Sequence, residues 1–160
     1  MSNWTKAKLK ASEIRKKYSS DDGIINAFKV AKGEGITILY FEPNEKTRDI
    51  SGLMDTTKKV IYLNPNHSAS KQNGTIAHEL GHYFLQHWTP EKYHKNKDTY
   101  LDVKPGIEQE ADVFAEELLM PKSLISKLKS KYGLTNDDYI DLAKLLGVAP
   151  LTMKNRLRSL

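Results

Sequence analysis

The chain contains no cysteine in its 160 residues, which excludes disulfides, cysteine-ligated zinc clusters and thiol nucleophiles. Any metal must therefore be held by histidine nitrogen and carboxylate oxygen. No apolar run approaches the roughly 20 residues of a membrane span. The basic segment from Met1 to Lys17 has no apolar core, unlike a secretory leader. There is no low-complexity stretch and no internal repeat. These absences lead to the expectation of a cytoplasmic chain that folds around one core.

With 39% apolar and 28% charged residues, the composition is that of an ordinary globular domain. The net charge of +5 is unevenly spread, with basic ends flanking an acidic middle. Basic ends suit nucleic acid or an acidic partner, but they are also the usual look of solvated helix faces, and the second reading is preferred.

Residues 4–18 read as a basic amphipathic helix with Trp4, Leu9, Ile14 and Tyr18 on its apolar side. Ser20-Asp21-Asp22 can cap a second helix through Ile24, Ile25, Phe28 and Val30, stopping near Gly33 and Gly35. Three β-branched or aromatic runs follow as strands: Ile36 to Phe41, Ile50 to Met54 and Lys59 to Leu63. A helix from about Ser70 to His87 is the natural cover for such a sheet. Residues 88–105 show no periodicity, and loops of that length are usually functional. Helices resume from Gly106 to Met120-Pro121 and around Leu124, Ile125 and Leu128, the latter closed by Gly133. A capping box at Thr135-Asn136-Asp137-Asp138 starts the next helix, which runs to Gly147, and Pro150 opens a last one. The expected class is α+β: a small three-stranded sheet, antiparallel or mixed, on one helix, with a mostly helical surround. The expected division is a core at 1–121 and a C-terminal helical region at 122–160 packed on it.

Within the helix that covers the sheet lies His78-Glu79-Leu80-Gly81-His82. Residues four apart on a helix lie one above the other, so both imidazoles point the same way and can hold one metal ion. Glu79 projects beside them, placed to take a proton from water at that ion. Catalytic zinc usually takes three protein ligands. A third histidine six residues beyond His82, with glycine three before it, would mark the metzincins, but Trp88 and Leu85 occupy those positions. His87 is one residue short, and a straight helix points it off the metal face, so it reads as a surface or core histidine. The acidic alternative is Glu108-Gln109-Glu110-Ala111-Asp112. Glu108 and Asp112 share a helix face, which suits a carboxylate ligand followed by a carboxylate that orients a ligand histidine. Glu110 lies on another side and competes less well. Small Ala111 and Ala115 allow two helices to approach closely. Taken alone, such acids are also what a solvated helix N-terminus carries.

Thr75 to His82, followed by Glu108 to Pro121, resembles the ImmA/IrrE family of zinc metallopeptidases, as does the strand ending Ile61-Tyr62-Leu63-Asn64. The resemblance is close over residues 36–121 and looser beyond. It implies a gluzincin-like core with zinc on His78, His82 and Glu108, and Glu79 as the catalytic residue. It further implies cleavage of helix-turn-helix repressors of phages, mobile elements or stress regulons, releasing the genes they silence. Tyr93, His94 and Tyr100 are candidate oxyanion donors. The strand at Lys59 to Leu63 is a candidate edge for an extended substrate.

Residues 136–159 also resemble a helix-turn-helix, with Gly147 at the turn and Lys154, Asn155, Arg156 and Arg158 on the second helix. This supports a rival: a regulator that binds DNA or a repressor, as a toxin–antitoxin-like partner, with a structural or sensory metal site. Packing against the core, or docking of the substrate, is the preferred use of these helices.

Overall fold

The computed structural model describes residues 1–87 and 106–160. In chain order the elements are α1 (Asn3–Tyr18), α2 (Ala27–Gly33), β1 (Thr37–Tyr40), β2 (Gly52–Asp55), β3 (Val60–Leu63) and α3 (Ala69–Phe84). Then come α4 (Ile107–Leu119), α5 (Lys122–Tyr132), a short 3₁₀ turn at Asn136–Asp138, α6 (Tyr139–Leu146) and α7 (Pro150–Ser159). The fold is α+β, and the sheet is mixed. No helix among the described residues is long and apolar enough to cross a membrane.

The sheet order is β1-β3-β2, with β1 parallel and β2 antiparallel to β3. The strand at Lys59 to Leu63 is therefore central, and the expectation of an edge there is wrong. Within the described sheet, β2 forms one edge. Pairing follows the two-residue period of a strand. Ile38, Ile61 and Met54 line up across the strands and face the core, while Leu39, Tyr62 and Leu53 line up on the outer face.

The first helix buries Ala7, Ala11 and Ile14, whereas Trp4 and Leu9 are more than half exposed. Ile14 and, in part, Tyr18 of the expected side do face the core, while small Ala7 and Ala11 are buried in place of Trp4 and Leu9. Arg15 adds hydrogen bonds from its guanidinium to the carbonyls of Leu118 and Gly23. The second helix starts later than expected. Ser20 and Asp22 organise a turn instead, with Asp22 accepting from the Ile24 N–H, and Asn26 caps α2 by accepting from Phe28 N–H. Downstream, the helix signals hold: Gly133 and Gly147 adopt left-handed φ of 65° and 68°, Thr135 forms its capping box, and Pro150 opens α7.

A buried amide ties three parts of the chain together. The Asn73 side chain accepts from Ala27 N–H at 2.9 Å and donates to the Gly147 carbonyl at 2.9 Å, so α3 holds the start of α2 and the α6–α7 turn. Asn73→Ala leaves the buried Ala27 N–H without a partner and should cost about 1–3 kcal/mol in chemical denaturation. An unchanged unfolding midpoint would contradict this role.

Candidate metal centre and active site

The third helix begins at Ser68, whose hydroxyl accepts from Lys71 N–H, and runs through the histidine pair. It crosses α4 at close range. A Cβ on Gly81 would lie 3.0 Å from both the Cα and the carbonyl oxygen of Ala111. The contact therefore leaves little room for any side chain at Gly81, facing the small Ala111 of the other helix. Gly52 plays the same part for β2, since a Cβ there would meet the Thr75 methyl at 2.6 Å. These two approaches bring the acids of α4 and the edge of β2 to the histidines.

The three expected ligands converge. His78 Nε2 lies 3.2 Å from His82 Nε2 and 2.9 Å from Glu108 Oε2, and His82 Nε2 lies 3.2 Å from Glu108 Oε1. Tetrahedral donors held about 2.0–2.1 Å from one ion lie about 3.3 Å apart. The triangle thus has the size, and the donor set of two imidazoles and a carboxylate has the chemistry, of a three-ligand site for a divalent ion. Among the described residues, His78, His82 and Glu108 are the acidic and imidazole side chains grouped tightly enough to hold one.

Asp112 takes the expected orienting place, 2.8 Å from His78 Nδ1. Burial works against a charge on His78, but the hydrogen bonds to Asp112 and Glu108 prevail and raise it to about 10. The same contacts with His78 and His82 hold the Glu108 carboxyl far below its ordinary range. The carboxylates of Glu108 and Asp112 thus make the surroundings of His78 favourable to positive charge. Glu79 differs: burial pushes its carboxyl up, opposed by the charges of His82 and His78 and by a backbone hydrogen bond from Met54 on β2.

His87 and Glu110, which helical spacing alone places off the metal face, adjoin this centre. His87 is buried, with Nδ1 2.9 Å from His82 Nδ1 and Nε2 2.7 Å from Glu110 Oε2. The helix stops at Phe84, and Gln86 takes a left-handed φ of 58°. Hydrogen bonds from His87 N–H to the His82 carbonyl and from Gln86 N–H to the Tyr83 carbonyl close the turn. This pattern is a Schellman motif, which folds the residue after the left-handed position back over the helix's last turn. The sequence carries no sign of this turn, because no glycine marks the left-handed position. A non-glycine residue there carries roughly 1–2 kcal/mol of strain.

The side chains of α3 and α4, the β2 edge and the α6–α7 turn enclose an open cleft of about 510 Å³. His78, Glu79, Glu108 and Asp112 line its polar side, with Ile50, Ser51 and Gly52 along the strand and Leu119, Met120, Val148 and Ala149 on the apolar side. Tyr93, His94 and Tyr100, with the rest of 88–105, lie outside the described residues.

The model of a peptidase family described as the IrrE N-terminal-like domain matches residues 31–158. The chain belongs to this family. The match takes in the sheet, the histidine helix, α4 and the C-terminal pair, so the resemblance seen in the motifs extends beyond them. A relative named Metallopeptidase ImmA, from Bacillus subtilis strain 168, is 28% identical over 111 residues, covering 66% of this chain and 60% of that protein. The chain spans about 60% of the length of this curated relative.

Proposed function

We propose that the chain is a zinc-dependent metallopeptidase that cleaves a helix-turn-helix repressor, with His78, His82 and Glu108 as metal ligands and Glu79 as catalytic base. The convergence of these three donors beside Glu79 at an open cleft carries the reading. Membership of a peptidase family and the similarity to a protein named a metallopeptidase support it. The open cleft, with a strand edge along one wall, suits an extended peptide.

A zinc ion bound at this site supplies Lewis acidity toward a carbonyl and a water of lowered pKa. Glu79 accepts the proton of the attacking water on its carboxylate and delivers it to the departing amine. Glu79 lines the cleft beside the two histidines, and burial raises its carboxyl above the ordinary range. Asp112 meets the ring of His78 at Nδ1, and β2, an edge of the sheet among the described residues, runs along the cleft where an extended peptide can pair with it. The soluble repressor partner implies work in the cytoplasm.

Incubating the zinc-loaded protein with purified helix-turn-helix repressors, and reading fragments by mass spectrometry, tests the reading. A defined cut that disappears with chelator is the expected result. Intact repressors across the set, with zinc bound, would count against repressor cleavage.

The DNA-binding rival loses one of the four side chains it relies on. Arg156 is buried, donating from Nε to the Met120 carbonyl at 3.0 Å and pairing with Glu116 and Glu117 on α4. Lys154 sits over the Tyr139 ring. The basic face of α7 is thus partly spent in docking the helix pair onto the core, which supports a role as a wall of the cleft.

A further inference from the structure

We propose that Gly74 is a specificity-determining residue. Its missing side chain keeps open a subsite beside the metal centre, which takes an aliphatic side chain of the peptide next to the cleaved bond. This role rests on the metallopeptidase reading above and names what the cleft selects.

Gly74 stands in the interior of α3, one turn before His78 and on the same face. Its φ is not positive, so the backbone there does not require glycine. Packing does not require it either. A Cβ on Gly81 or Gly52 would strike a neighbour, whereas a Cβ on Gly74 would meet nothing within 4 Å among the described residues. Glycine in a helix interior is less favourable than alanine. This one lowers stability and relieves no clash. What it provides is room, and the room belongs to the cleft that Gly74 helps to line.

The place of that room points to its occupant. Four residues of helix rise about 6 Å, which separates Gly74 from His78. Neighbouring Cα atoms of a peptide are about 3.8 Å apart. With a peptide carbonyl at the metal, the side chain of an adjoining residue therefore reaches the space over Gly74. The hydrogen bond from Asn73 to the Gly147 carbonyl sets the α6–α7 turn beside this part of α3. Val148 and Ala149 of that turn line the cleft, with Ala115 and Leu119 from α4. The acids nearby are already engaged: Glu108 in the metal triangle, Asp112 with His78, and Glu116 with Arg156. An uncharged aliphatic group suits these walls better than a lysine or arginine side chain.

Hydroxamates bind zinc directly, and two series of them, N-acetylamino-acid and succinyl, carry a variable side chain on one or the other side of the metal. Their dissociation constants for the zinc-loaded protein are read by calorimetry. In one series, replacing hydrogen by isobutyl should tighten binding to the parent about 10-fold or more, the low end for burying a leucine-sized group. In Gly74→Leu, which fills the space, that gain should vanish while the unsubstituted hydroxamate binds as in the parent. Gly74→Ala should lose part of the gain yet raise the melting temperature by about 2–4 °C. An isobutyl gain that survives in folded Gly74→Leu, or no gain in either series, would overturn the inference and leave the metal centre standing. So would tighter binding of a 4-aminobutyl than of an isobutyl probe. A parent that binds neither zinc nor the unsubstituted hydroxamate would instead remove the metallopeptidase reading, and this inference with it.

Discussion

Glu79→Gln should leave zinc bound at the parent's stoichiometry and reduce peptide cleavage by about 100- to 10,000-fold, the range for removing a positioned general base. The amide keeps the size and hydrogen-bonding shape of the carboxyl but cannot take up a proton. Glu79 is not one of the three converging donors, so metal content should not follow activity. Its carboxyl lines the cleft, is raised by burial, and receives a backbone hydrogen bond from Met54. Elemental content and the rate of fragment appearance, measured on the same preparation, check the prediction. Full cleavage by the variant would remove Glu79 from the chemistry, while loss of zinc would make it a structural part of the metal site.

Gly81→Val should damage fold and site together. A Cβ at this position already lies 3.0 Å from backbone atoms of Ala111, and backbone cannot swing aside as a flexible side chain would. Overpacking of this kind costs about 3 kcal/mol, or a fall of roughly 10 °C in melting temperature for a chain of this size. The strain is relieved when α4 moves outward, and Glu108, Glu110 and Asp112 all ride on that helix. Zinc affinity should therefore fall by at least about 10-fold, as it does when the surroundings of a metal ligand are disturbed. Gly81→Ala should show the same two effects more weakly, since better helix propensity returns up to about 1 kcal/mol. A stable Gly81→Val protein with parental zinc affinity would mean that the helix crossing does not set the site.

The parts of the centre that the sequence revealed are those governed by helical periodicity. His78 and His82 fall on one face by spacing alone, as do Glu108 and Asp112, and the structure brings all four together. Helix ends marked by Gly133, Thr135, Gly147 and Pro150 were also legible, because each residue has a conformational reason to be where it is. What stayed hidden depends on the chain leaving a regular path. His87 reaches His82 through a left-handed glutamine, a conformation that the residue type does not announce. Glu110 then gains its importance from His87 and from nothing in its own helix pattern. Strand order was hidden for another reason: three short apolar runs of similar composition do not say which of them is central, and β3 takes that place only through long-range pairing. Small-residue packing was legible on one side only: Ala111 of the α4 contact stands out in the sequence, whereas Ala7, Ala11 and Gly81 matter for what they lack.

The most direct test of the central claim is metal bound per chain, by elemental analysis of untagged protein beside Glu108→Ala. Close to one zinc per parent chain is expected, and almost none in Glu108→Ala, because two histidines alone leave the three-ligand site incomplete. A parent protein that takes up no metal even when zinc is supplied, or a Glu108→Ala variant that retains it fully, would contradict the centre described here.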